Sequence, residues 1–586
     1  MTRYDYAVVA FYFLYMLAVG WTSRRLVRNV SDYYRSGGQV LWWMAGGSAF
    51  MLSFSAWTFT GAASRAYADG WPVMMIYFGN ALGFAGAALY FAPRMRQLRV
   101  MTSMQMVRMR FGPGNEQFFT WLTLPMRILY GGIWLYGLGV FFSAALGLDV
   151  NLTILLCGGT VVVISLIGGS WAVVVSDFIQ VLILMPVTLV AAVLAVHRLG
   201  GPAAFTHVLE ASRLDWGKLA SQRFLPFWCL AIIAKQFIAT NNPGDTPRYL
   251  CVKDSRHARK AAILGGVLML VGVVIFFVPP MAASVVFPDL RRIYPGLANP
   301  GEGSFFAIAT ATFPTGMVGL LVSGVFAATM SAMDGGLNSN SGIFIKNFYQ
   351  PILRPAARER ELLLVGKAAT GILGLAIIGL AQTYTRFPQL SLFRLMVDFG
   401  ILVSLPHAMP LFLSVFIRRT PSWSGWSTVL LGFLASWVSQ RFLTPEWAVR
   451  LLGGSTSMTP WESLNWSQAI AACLVLAVCT GWFCLSKAFY PAESAEYRAQ
   501  IGEFSTEIET PVNYEKEEGG KGSDDLQSWL IGRLCLPYGA VICLMALIPN
   551  SAAGRAAFVF CGLVLLSIGG ALLVSTRRPD AGPTAL

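Results

Sequence analysis

The chain has 586 residues, of which 12% are charged and 55% hydrophobic, against roughly 25% charged in soluble proteins, and its mean hydropathy is +0.60. So few charges cannot coat several soluble domains, and 39 Phe, 19 Tyr and 18 Trp exclude disorder. A polytopic, all-α membrane protein remains, so the net charge of +14 is a property of loops before it suggests nucleic acid.

Apolar runs able to cross a ~30 Å hydrocarbon core as helix recur at roughly 6–22, 41–67, 73–93, 118–146, 151–167, 174–196, 225–243, 262–288, 304–346, 363–382, 393–417, 424–441, 467–485, 529–549 and 555–576. About 14 to 15 transmembrane helices are therefore predicted. The run at 304–346 is too long for one crossing and divides into a surface helix and a spanning helix from about Met317. The first run, with Arg3 and Asp5 before it, does not read as a cleaved signal peptide.

Alternate loops carry the basic residues, among them Arg24, Arg25 and Arg28, then Arg94, Arg96 and Arg99, then Arg248, Lys253 and Arg256, then Arg354, Arg358 and Arg360. This places the N-terminus outside and the C-terminus inside, in what is expected to be a bacterial inner (plasma) membrane, and makes a nucleic-acid partner unexpected. Segment 487–527 is the one long polar stretch and reads as a solvated, partly disordered interior linker. The cysteines lie mostly in apolar runs without a CxxC pair, and the four histidines lack metal-ligand spacing. With no acid/base constellation either, an enzyme is not expected.

Two spans are interrupted. The second carries Gly46-Gly47 and then the small, hydroxylated run Ser53 to Ser64; close helix packing through small residues also accounts for it. The seventh passes from Lys235 and Gln236 through Thr240-Asn241-Asn242 into Pro243-Gly244-Asp245, where proline denies the helix its backbone donors. A plain helix end is the alternative there. Spans two to six and seven to eleven form two sets of five, each opening on an interrupted helix. An odd number per set inverts the second against the first, which is the pattern of an inverted-repeat transporter with its site at the midplane.

Four segments bear a family likeness. They are Asp32-Tyr33-Tyr34-Arg35-Ser36-Gly37-Gly38; Ser55-Ala56-Trp57-Thr58-Phe59-Thr60-Gly61; Gly168-Gly169-Ser170-Trp171 continuing to Ser176-Asp177-Phe178-Ile179-Gln180; and Ala327-Ala328-Thr329-Met330-Ser331-Ala332-Met333-Asp334 continuing to Asn338-Ser339-Asn340-Ser341. Over roughly residues 1–440 the chain resembles the sodium/solute symporter family. The resemblance implies a leucine-transporter-like fold with a 5+5 inverted-repeat core and a cation-coupled symporter of a small polar organic solute. A solute sensor and a passive channel are the alternatives.

Expected boundaries are an accessory helix and interior loop over 1–40, the first repeat and the start of the second over 41–246, and the remainder of the second over 247–420. Accessory helices follow over 421–486, the polar linker over 487–527, and C-terminal accessory helices over 528–586. No cofactor is expected beyond the coupling ion, sodium or a proton.

By the same resemblance a sodium ion rests on the carbonyls of Met51, Phe54 and Ala328 and the hydroxyl of Ser331. Ala332 stands where the family has a second hydroxyl and offers no oxygen; Thr329 reads as lying on another face. Asp177 matches an aspartate on the interior path of the cation, with a helix-start cap as its alternative. Substrate candidates are Ser55, Thr58, Lys235, Asn241, Asn242, Asp245 and Asp398, because polar and charged groups inside a membrane are costly and kept for function. Asp398 lies four residues after Arg394, so the two can also neutralise each other. His407, between Pro406 and Pro410, reads as a packed histidine or a titratable gate.

Overall fold

A computed structural model describes residues 1–23, 36–211, 224–245, 247–387, 391–451, 458, 460–514 and 524–576. The first three residues and Arg35 of the segment Asp32 to Gly38 lie outside the described residues. Eleven helices among the described residues are long and apolar enough to cross a membrane. In chain order the helices are α1 (Arg3–Ser23), α2 (Trp42–Met51), α3 (Ala63–Asp69), α4 (Met74–Gly86), α5 (Ser103–Phe111), α6 (Pro113–Leu146) and α7 (Val150–Arg198). The second half of the core has α8 (Phe224–Thr240), α9 (Pro247–Leu250), α10 (Ser255–Val286), α11 (Ser304–Thr312), α12 (Met317–Phe344), α13 (Glu359–Tyr384), α14 (Leu392–Phe399) and α15 (Leu405–Ser414). Accessory helices α16 (Ser424–Arg441), α17 (Pro460–Ser486), α18 (Ala495–Glu507), α19 (Asp524–Leu544) and α20 (Ala552–Ser575) complete the chain.

Both predicted interruptions are present. After α2 the backbone leaves the helix at Leu52–Ser55 and resumes through a π-helical turn at Thr58–Ala62 into α3. After α8 it unwinds at Asn241–Asn242 and passes a 3-10 turn at Pro243–Asp245 before α9. The division of 304–346 into α11 and a span starting at Met317 is also as expected.

The spans expected at 151–167 and 174–196 are the two stretches of α7, Val150–Leu166 and Ser170–Arg198. They pass α12 in opposite directions: the first ends with Ser165 against Asp334, whereas the second runs back from Asp177 beside Ser331 to Leu184 against Gly324. The segment read as a solvated linker is corrected. Within it α18 buries Tyr497, Ile501 and Phe504, and Tyr497 Oη donates to the Arg110 carbonyl at 3.1 Å, docking α18 on α5. Residues 515–523 lie outside the described residues.

α12 is the axis of the bundle and is buried along its spanning length. Its entry turn uses Gly316 at φ +94, a conformation that favours glycine. The Asp5 carboxylate then accepts the Gly319 N–H at 3.0 Å, meeting a free donor at the positive end of the helix. A side chain at 319 would run into the Asp5 carbonyl, and since that neighbour is backbone, α1 itself would have to shift. Gly319→Val is expected to cost about 1–3 kcal/mol through overpacking, read as a lower melting temperature of the detergent-solubilised protein; an unchanged value would contradict the close approach.

Candidate functional site

The first break faces the last turns of α8, just before the second break, across a cavity of about 290 Å³. The first contributes Leu52, Ser53, Phe54 and Ser55, followed by Trp57 and Thr58; the last turns of α8 contribute Lys235, Gln236 and Thr240; α6 adds Arg127, Tyr130 and Trp134, and α12 adds Ala332, Gly335 and Ser339. An aromatic wall stands behind the first break, with Phe54 stacked on Tyr77 at 5.5 Å between centroids and Trp57 stacked on Phe393 at 6.0 Å. The Tyr77 hydroxyl donates to Thr58 Oγ1 at 2.8 Å. On the α8 side Gln236 Nε2 donates to Asn80 Oδ1 at 2.9 Å, and Thr240 donates to the same oxygen at 3.2 Å.

Of the substrate candidates, Ser55, Thr58 and Lys235 line this cavity; Asn241, Asn242 and Asp398 do not. Asn241 Nδ2 donates to the Gly83 carbonyl at 2.9 Å and ties α8 to α4. Asn242 Oδ1 accepts the Gly244 N–H at 3.0 Å and shapes the second break. Asp398 accepts from Gln468 of α17 at 2.9 Å and pairs with Arg394 at 3.2 Å, so it neutralises its own helix and faces an accessory one. The side chain of Asp245 lies outside the described residues. His407 is packed, with Nε2 3.0 Å from Thr123 Oγ1 and its ring against Phe119.

The cation candidates converge where the first break meets α12. Met51 and Phe54 bound the unwound stretch, and the Met51 carbonyl accepts the Phe54 N–H at 3.0 Å. Thr329, on another face of α12 than Ser331, also reaches this break: its Oγ1 accepts the Ala56 N–H at 2.7 Å. It thereby satisfies an amide that the broken helix leaves over. Ala328, Ser331 and Ala332 are buried on the same helix.

Asp177 is not a helix-start cap. It lies in mid-α7, buried, accepting the Ser48 hydroxyl and pairing with Arg248 Nη2 at 3.4 Å. Ser331 lies within hydrogen-bonding reach of Asp177, and two buried side-chain oxygens brought together next to the first break form a donor set suited to a hard cation.

Two residues here were overlooked in the sequence. Arg248 was counted as a loop charge but is buried and lines the cavity. Asp334 is buried on α12, three residues after Ser331, and accepts the Ser165 hydroxyl. Both signals were present: Arg248 follows the second break directly, and Asp334 is an aspartate inside a span.

At the end of the loop before α11, Glu302 closes the bundle. Its buried carboxylate accepts the Leu392 N–H at 3.2 Å at the start of α14. Burial pushes this carboxyl from its ordinary 4.5 up to about 7, against the opposing hydrogen bonds from Leu392 and Asn299. The docked loop thus holds a proton more tightly than a water-exposed carboxyl does, so docking is strongest at low pH and weakens as pH rises from about 4.5 through about 7. Wild-type melting temperature is expected to fall across that window and Glu302→Gln to flatten the fall; an equally steep fall in the variant would contradict this assignment.

Two opposed sets of helices, each opening on a broken one, with the cavity between the broken helices, define an inverted-repeat membrane transporter of the leucine-transporter-like fold. The chain belongs to the Sodium:solute symporter family, whose model matches residues 33–432, and is a sodium-coupled solute symporter rather than an enzyme. It is 25% identical over 484 residues to sodium/myo-inositol cotransporter 2 of Mus musculus, covering 73% of this chain and 69% of that one. It is also 25% identical over 405 residues to sodium/glucose cotransporter 4 of Danio rerio, covering 62% and 60%. Among solved structures, the substrate-bound, outward-open state of a Na+-coupled sialic acid symporter superposes with a TM-score of 0.66 at 19% identity, covering 84% of this chain and 98% of that one.

Proposed function

We propose that this symporter holds a small polar organic solute in the cavity between the broken helices and its sodium ion on the carbonyls of Met51, Phe54 and Ala328, with Ser331 and Asp177 supplying side-chain oxygens. The observation that carries the ion assignment is the adjacency of two buried side-chain oxygens, on Ser331 and Asp177, beside the first break. Asp177 stands in for the hydroxyl that Ala332 lacks, and this favours sodium over a proton as the driving ion. Binding there joins α2, α7 and α12. The ion and the solute therefore favour the same arrangement of helices and raise each other's affinity by linkage.

Arg248 borders both the cavity and a smaller polar recess lined by Thr102, Ser170 and Asn338. With the N-terminus outside, that recess lies on the interior side, and the Arg248–Asp177 pair lies across the way between it and the cavity. The experiment is a thermal titration of the purified protein with sodium chloride against choline chloride at equal ionic strength. Sodium is expected to stabilise the folded form by about 1.4 kcal/mol for each tenfold rise above its dissociation constant. Equal curves in the two salts would refute the ion site. Imposed pH gradients in proteoliposomes, without sodium, are expected to drive no uptake.

A further inference from the structure

The cavity carries an unbalanced positive charge, and it is located on Lys235. Arg127, Lys235 and Arg248 line the space, and among the described residues no carboxylate does. Arg248 is answered by Asp177. Arg127 is committed to protein oxygens, donating to Ser339 Oγ at 2.6 Å, Asn340 Oδ1 at 3.2 Å and the Gly244 carbonyl at 2.7 Å. Lys235 Nζ donates only to the neutral amide oxygen of Gln236, at 2.5 Å, and has no ion-pair partner among the described residues.

An ammonium has three donors, so two of them remain for the cavity. Asn80 holds the Gln236 amide from its far end and so fixes the one donor that is spent. Room for the ammonium comes from Gly400, where a Cβ would lie 2.6 Å from Nζ, at the start of the π-helical turn Gly400–Ser404. A charged lysine inside a membrane without an anion is costly, and one uncommitted cation calls for one negative charge.

We infer that the solute of the symporter proposed above carries a carboxylate, which takes the two remaining donors of Lys235. Its body lies between the aromatic faces of Trp57 and Tyr77 on one side and Tyr130 and Trp134 on the other. A phosphate dianion would need a second uncommitted cation, and the cavity offers none among the described residues. Carboxylate specificity rests on the transporter reading but is tested apart from it.

The test is thermal stabilisation of the full chain in sodium chloride by matched probes: glucuronate against glucose, gluconate against sorbitol, lactate against 1,2-propanediol, benzoate against benzyl alcohol, and inorganic phosphate. At least one acid is expected to stabilise where its neutral counterpart does not. Lys235→Met removes an uncompensated charge and keeps the fold, and is expected to weaken that acid by about tenfold or more. Gly400→Ala displaces only the flexible end of Lys235 and is expected to weaken it in the same direction.

The inference is overturned if no acid exceeds its neutral partner, if phosphate alone reproduces the effect, or if Lys235→Met binds the acid as wild type does. A neutral solute accumulated on a sodium gradient would also overturn it while leaving the transporter reading intact. An acid that binds through Lys235 but is never accumulated would refute the transporter reading and leave the carboxylate site standing.

Discussion

Arg248→Met, with Asp177 retained, is expected to be the most destabilising single change at this site. Both members of the pair are buried, and removing one partner of a buried ion pair costs about 3–5 kcal/mol, because the other charge is left without compensation. Here the loss is compounded: Asp334, buried on the same helix as Ser331, also loses its attraction to Arg248. The double variant Asp177→Asn/Arg248→Met carries no charge at either position and is expected to recover most of the lost stability. It is not expected to regain stabilisation by sodium, since it has lost a proposed ion ligand. Melting temperatures of the four proteins in the cycle, each with and without sodium, measure both effects. A single variant as stable as the double variant would show that the pair is not what neutralises this interior.

Ser331→Ala is expected to raise the sodium concentration needed for half-maximal stabilisation by about tenfold or more, the scale of one lost charge-assisted contact. Ala332→Ser is expected to move it the other way. Ala332 is buried and lines the cavity next to Ser331, so a hydroxyl there adds an oxygen to the same donor set. The opposite signs matter, because a general weakening of α12 would lower stability in both variants without lowering the sodium requirement in either. Sodium titrations of the two variants against wild type check this. Identical midpoints in all three would place the ion elsewhere.

Much of this architecture was legible in the sequence, and the reason is the membrane. Only long apolar helices are tolerated in lipid, so the interruptions after Met51 and after Thr240 stood out against a uniform background. The division near Met317 followed from length alone. Lys235, Ser55 and Thr58 were found because polar groups in a span have few innocent explanations.

What stayed hidden depended on distances between segments far apart in the chain. Arg248 was indistinguishable from its neighbours Lys253 and Arg256 until the fold placed it against Asp177. Thr329 does lie on another face than Ser331, and only the fold shows that this face meets Ala56 across the break. Asn241, Asn242 and Asp398 had the composition of binding residues, but the Asn241 amide nitrogen, the Asn242 amide oxygen and the Asp398 carboxylate are engaged by Gly83, Gly244 and Gln468. α18 was missed because its amphipathic pattern is short, and its partner, α5, lies nearly four hundred residues earlier in the chain.

The most direct measurement is uptake into proteoliposomes of the solute that stabilises the purified protein. An inward sodium gradient is imposed, then abolished with a sodium ionophore. Solute held between two broken helices and coupled to an ion on the first of them is expected to rise inside the vesicles above its external concentration and to fall back when the gradient collapses. Equilibration to the same internal level with and without the gradient would contradict the account.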